Sequence, residues 1–127
     1  MNSSVSAAVP SRWPAIGRVL TWLAAVSALA AAVSAVSDVT GADDPVLVVQ
    51  TWRMYGLFLC TGLFVLLALR PRAHGAVWAL LIADKAALAL TAGVYLARGG
   101  AAEAASTFGW DGGLAVILTA AYLMTRA

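Results

Sequence analysis

Charge is what this chain has least of. Charged residues make up 11% of its 127 residues, against 62% that are hydrophobic. A soluble domain carries about a quarter of its residues charged, so the composition excludes a water-soluble globule and indicates an integral membrane protein with a single domain. Cysteine occurs once: Cys60 lies inside an apolar run, which excludes a disulfide within one chain and any multi-cysteine metal site. Histidine also occurs once, as His74. A haem held by paired histidines is therefore not available within the chain, and neither metal nor other cofactor is expected. The formal net charge of +2 is too small to indicate a nucleic-acid partner.

What is there is a set of long apolar runs. Two of them, Val46–Leu69 and Ala76–Ala97, flank the basic turn Arg70-Pro71-Arg72-Ala73-His74-Gly75, and each reaches the roughly 20 residues needed to cross a bilayer. A third, Ala15–Val36, follows Arg12, Trp13, Pro14 and Arg18 and is built of small residues. Its Ala24, Ala28 and Ala32, spaced by four, permit close helix approach in lipid. A basic start and Ala32-Val33-Ser34-Ala35 also resemble a cleavable leader, but the run is expected to be a first membrane helix. Met1–Ser11, rich in serine and alanine, is expected to be disordered or surface-lying. Ser37–Pro45 reads as a loop and Ala101–Thr107 as a short connection. The last run spans if counted from about Ser106 to Arg126, which places Asp111 inside the membrane; counted from Leu114 it is too short, and Asp111 becomes an N-cap.

The fold expected is all-α: a four-helix antiparallel transmembrane bundle with spans near 15–36, 46–69, 76–97 and 106–126. Arg12, Arg18, Arg70, Arg72 and Arg126 then share one side, and Asp38, Asp43, Asp44 and Glu103 the other, with Arg98 as its only base. The positive-inside rule puts both termini in the cytoplasm of an inner (plasma) membrane.

Three charges lie within the central runs: Arg53, Asp84 and Lys85. Insertion scales put such a charge at about 2.5–3.5 kcal/mol, so intramembrane charges are candidates for function. Side chains lean toward the N-terminus of their helix, which directs Arg53 outward and Lys85 toward the cytoplasm; snorkelling is the plainer account of Lys85. Asp84 is too short to reach either surface. It must be protonated, paired or beside a wet cavity, as part of a site or as glue between helices. Depth counting sets Asp84 opposite Leu59 or Cys60 and about 9 Å from the level of Arg53, whereas Asp111 matches Arg53 in depth. The candidate catalytic set is therefore Asp84 as acid, Asp111 as base and Arg53 holding an anion, with an Arg53–Asp111 pair expected. Gln50, Trp52, Tyr55, Thr91, Tyr95 and Trp110 are candidates for the wall of a pocket, although interface anchoring is the commoner use of such aromatics.

The pattern Arg53-x-x-Gly56, Gly62, an apolar run to Arg70-Pro71-Arg72 and apolar residues to Asp84 resembles the DoxX-like group of small four-helix bacterial membrane proteins over Val46–Arg98. The resemblance implies four spans and, for some relatives, association with redox-linked membrane complexes. Sterol isomerases of the related wider superfamily bind lipophilic substrates beside acidic residues, but use a fuller set of acids and histidine than is found here. Two functions follow. One is a membrane protein whose polar pocket binds a lipophilic small molecule, with or without acid/base isomerisation, cyclisation or epoxide opening. The other is a non-catalytic accessory subunit, in a homo-oligomer or a larger membrane complex, suggested by the small face of the first run. A small exporter fits less well, because Ala15–Val36 holds no acid.

Overall fold

The computed structural model describes residues 12–100 and 102–127. The expectation for Met1–Ser11 falls outside them. The chain forms four helices: α1 (Trp13–Thr40), α2 (Asp44–Leu69), α3 (Gly75–Ala97) and α4 (Ala104–Met124). All four are long and apolar enough to cross a membrane.

Local chemistry explains the boundaries. Pro14 and Pro45 sit in the first turns of α1 and α2, where a missing N–H costs nothing. The end of α3 is closed by two glycines of positive φ. Gly100 N–H donates to Tyr95 O at 2.8 Å and Gly99 N–H to Leu96 O at 3.2 Å, the paired bonds that satisfy the last carbonyls of a helix. Glu103, the cap of α4, is held at φ 64°, a left-handed conformation uncommon for a residue with a side chain.

Two boundaries differ from the sequence expectation. Ser37–Thr40 is helical instead of looped, because Ser37 and Thr40 hydroxyls donate back to Ser34 O and Ser37 O within the helix. Asp38 therefore lies on α1, and the connection shrinks to residues 41–43. At the other end of the sequence α4 begins at Ala104, within the connection expected over 101–107; Asp111 lies well inside the helix, as the longer count has it, and caps nothing.

α1 packs on α2 and on α4, and α4 packs on α3; α2 and α3 barely touch. The small face of α1 makes its contacts possible. Ala24, Ala25, Ala28, Ala32 and Ala35 are buried, and Gly17 fits so closely that an added Cβ would lie 2.8 Å from Thr125 Cγ2. One end of the bundle is dense. There Phe64, Leu67, Trp78, Leu118 and Ala121 form the core, Trp78 Nε1–H donates to Pro71 O at 2.8 Å, and its ring meets Tyr122 edge-on. Arg126 lies over the opposite part of this cluster, 3.7 Å from the Tyr122 ring centroid, and Arg18 donates to Leu69 O. The other end, where α1 reaches Asp38 and α4 begins, is loosely filled.

Candidate functional site

That looseness is a cavity of about 1080 Å³ bordered by all four helices. The face of α2 that borders it carries Arg53, Gly56, Leu57 and Cys60, positions three or four apart as one side of a helix requires. Val77, Leu81, Asp84, Lys85 and Leu88 of α3 face them, with Trp110 and Asp111 from α4. Because α2 and α3 do not close on one another, the gap between them is the open side.

Lys85 is the centre of the polar wall. Its Nζ lies 3.3 Å from Asp84 Oδ2, 3.4 Å from Asp111 Oδ1 and 3.8 Å from Cys60 Sγ. Three helices thus meet at one ammonium group. Its side chain is 6% exposed and that of Asp111 11%, whereas Asp84 is 53% exposed and faces the open space. Lys85 lies about 15 Å along α3 from its start, near mid-membrane. It does not snorkel: a route to the surface exists, but two carboxylates within reach hold the charge more strongly than partial hydration would. Depth counting did place Asp84 level with Cys60, and the Lys85–Cys60 contact agrees with that level.

Arg53 borders the same cavity about two helical turns away, seven residues from Cys60 along α2. Its Nη1 is 3.4 Å from Asp38 Oδ2 and 3.8 Å from Glu103 Oε1. The expected Arg53–Asp111 pair is therefore replaced. Asp111 turns to Lys85, and Arg53 takes acids from the end of α1 and the cap of α4. The helical ending of α1 and the left-handed Glu103 are what bring those two acids to it.

Of the other candidates, Trp110 borders the cavity. Gln50, Trp52, Tyr55, Thr91 and Tyr95 are not among its lining residues. Trp52 and Tyr55 are 77% and 65% exposed, turned away from the face that carries Arg53 and Cys60. They share the depth of the cavity without sharing its side of the helix. Gln50 Oε1 is buried with no hydrogen-bond partner. Among the described residues, no three of His, Cys, Asp and Glu come together as a metal-binding group. Comparison of the chain with family models, with curated proteins and with solved structures returns no match.

Proposed function

We propose that this chain is a plasma-membrane protein whose cavity binds a lipophilic small molecule, with Asp84, Lys85 and Asp111 as its acid/base centre. The carrying observation is a lysine buried between two carboxylates on the wall of an otherwise apolar cavity. Intramembrane charges are expensive, and those that persist commonly mark a ligand or proton path. Asp84, the member that faces the open space, acts as general acid toward the ligand. Asp111, held behind it by Lys85, is the base that receives or returns the proton. Lys85 stabilises whichever carboxylate is ionised. The chemistry open to such a centre is proton transfer: isomerisation, cyclisation or epoxide opening of a hydrophobic substrate. Arg53, already shared by Asp38 and Glu103, orients a polar end of the ligand at the far end of the cavity.

The helices in this reading run antiparallel, with both termini in the cytoplasm. Contacts support it: Arg18 of α1 meets the last residue of α2, and Gly17 sits against the end of α4. The basic residues 12, 18, 70, 72 and 126 then fall together on the cytoplasmic side. The DoxX-like resemblance is in keeping with four spans.

The accessory-subunit reading drew on the small face of the first helix. That face is consumed inside the chain, where Ala24, Ala28 and Ala32 are buried. Small residues do remain exposed on α3 (Ala76, Ala79, Ala83, Ala87) and α4 (Ala105, Gly109, Gly113), so the pocket is preferred for its buried charged cluster and not for want of a small-residue surface.

The test is mass spectrometry of small molecules that copurify with the full chain. The wild type should retain a lipophilic molecule that is lost on filling the cavity by Gly56→Trp, a position with open space around it. A wild-type bundle that holds no small molecule, with Asp84→Asn and Asp84→Leu both behaving as wild type, would sink the pocket.

A further inference from the structure

We propose that Lys85 is a covalent anchor for a lipophilic aldehyde or ketone, held in the cavity as an iminium with Asp84 and Asp111 as counter-ions. This rests on the pocket reading and names its ligand class. Lys85 is the only lysine in the sequence; the other seven basic residues are arginine. An arginine would serve a fixed ion pair at least as well, since its guanidinium stays charged and binds carboxylates through two parallel bonds. What lysine adds is an amine that becomes a nucleophile in apolar surroundings. Here that amine stands on the cavity wall beside Leu57, Leu63, Leu81 and Leu88, with room for a long apolar body.

The counter-ions suit the change of chemistry. Lys85 sits 3.3 and 3.4 Å from the two carboxylates, so either is near enough to take a proton from it. A carboxylate accepts one ammonium proton, and the freed nitrogen lone pair attacks the carbonyl carbon. The carbonyl π pair takes up one of the nitrogen's protons, giving a neutral carbinolamine while the carboxyl group keeps its own. Its C–O bond then breaks as the nitrogen lone pair forms C=N, and the oxygen, protonated from the carboxyl group, leaves as water. In sum, ammonium plus carbonyl compound gives iminium plus water, with one positive charge on each side. The Asp84–Asp111 pair therefore faces one cation before and after, and no charge is created or lost at mid-membrane. No oxidant or reductant is needed.

The experiment uses the full chain in detergent micelles, hexadecanal as the probe, borohydride to reduce any C=N bond, and intact-mass measurement with peptide mapping. The expected result is a single gain equal to the mass of hexadecanal less one oxygen atom. It should map to the peptide containing Lys85, be absent in Lys85→Arg, and form faster in the folded chain than in SDS. Mapping in the wild type locates the adduct even if the variant misfolds. A gain on the α-amino group alone, or equal labelling of folded and SDS-unfolded chains, overturns the proposal. Hexadecanol, which cannot condense, separates it from the pocket reading. Retention of hexadecanol with no hexadecanal adduct overturns the anchor and leaves the pocket; retention of neither overturns both.

Discussion

Replacing Asp111 should destabilise the bundle far more than replacing Asp84, although both touch the same ammonium at nearly equal distance. Asp111 is 11% exposed and Lys85 6%, so their pairing is shielded on both sides; Asp84 is 53% exposed. Breaking a buried pair by removing one partner costs about 3–5 kcal/mol, because the other charge is left unmatched. Asp84 stays near Lys85 in the Asp111→Leu variant, so the low end, about 3 kcal/mol, is expected. Asp84→Leu removes the exposed partner and should cost about 1 kcal/mol or less. The gap of about 2 kcal/mol corresponds to roughly thirtyfold in the folding equilibrium. Lys85→Met alone should cost about as much as Asp111→Leu, since it strands a buried carboxylate. The double variant Lys85→Met/Asp111→Leu replaces the pair by apolar side chains and should recover most of the loss. Unfolding in SDS mixed micelles, followed by tryptophan fluorescence, measures all four corners of this cycle. Additive losses in the double variant, or equal losses for Asp84→Leu and Asp111→Leu, would show that the buried pair is not what holds α3 to α4.

Three further outcomes follow from particular contacts. Gly17→Ala should loosen α1 from α4 by roughly 1–3 kcal/mol, because the new Cβ would meet Ala121 O and Met124 Cβ at 3.0 Å as well as Thr125; SDS unfolding reads it, and a neutral result would refute the close fit. Gly93→Ala is the contrasting control, since its nearest neighbour is the edge of the Phe108 ring at 3.2 Å, which is half-exposed and able to swing aside. Arg53→Gln should change stability by less than about 1 kcal/mol in the same assay, as its two partners and its own side chain are about half-exposed or more. Cysteines placed singly at Asp43, His74 and Glu103 should react with an impermeant maleimide from outside at 43 and 103 and from the cytoplasm at 74; the reverse pattern would invert the topology.

The four helices were legible because their cause is local. Apolar length sets a span, and Arg70-Pro71-Arg72 and Gly99-Gly100 interrupt it at a protein's edge as clearly in sequence as in space. The ending of α1 was not legible. Ser37, Asp38 and Thr40 are turn formers by type, and only the carbonyls available one turn back decide that their hydroxyls bond within the helix instead. Depth was legible in part: 1.5 Å per residue needs no partner to be counted, but the count that matched Asp111 to Arg53 did not give the pair, since Asp111 meets Lys85. It set Asp84 level with Cys60, and Lys85 indeed reaches Cys60. Azimuth between helices was not, and this misplaced the aromatic wall: Trp52 and Tyr55 have the depth of Arg53 but another side of α2. Lys85 was passed over for a different reason. Its lean toward the cytoplasm gave it a way out of the membrane, and once it was spent that way Asp111 had only Arg53 as a match. Three charges from two helices had to be considered together for the actual pairing to emerge.

The pairing of helices also explains why the charges lie where they do. α1 joins α2 on one side and α4 on the other, and α4 holds α3, while α2 and α3 meet only lightly, in the dense core and at Cys60–Lys85, and part beyond it. Such a gap in a soluble protein would fill with water. In the reading proposed above the gap, flanked by Leu59 and Leu80 as exposed side chains on either edge, faces the acyl chains of the bilayer. A lipophilic molecule can then enter sideways, without leaving the membrane. The first ionisable groups it meets inside are Asp84 on α3 and Arg53 on α2, because Asp111 and most of Lys85 lie behind. The buried pair joins α3 to α4 while the exposed acid stays available, so in the proposed reading stability and chemistry draw on different oxygens of one cluster. Spanning the gap with a cleavable bis-maleimide between Leu59→Cys and Leu80→Cys, in a Cys60→Ala background, should therefore leave the Lys85–Asp111 pair intact and block ligand uptake, and cleavage of the linker should restore it. Uptake undiminished by the intact cross-link would mean that the ligand enters from the aqueous end beside Asp38, and the lateral route would be wrong.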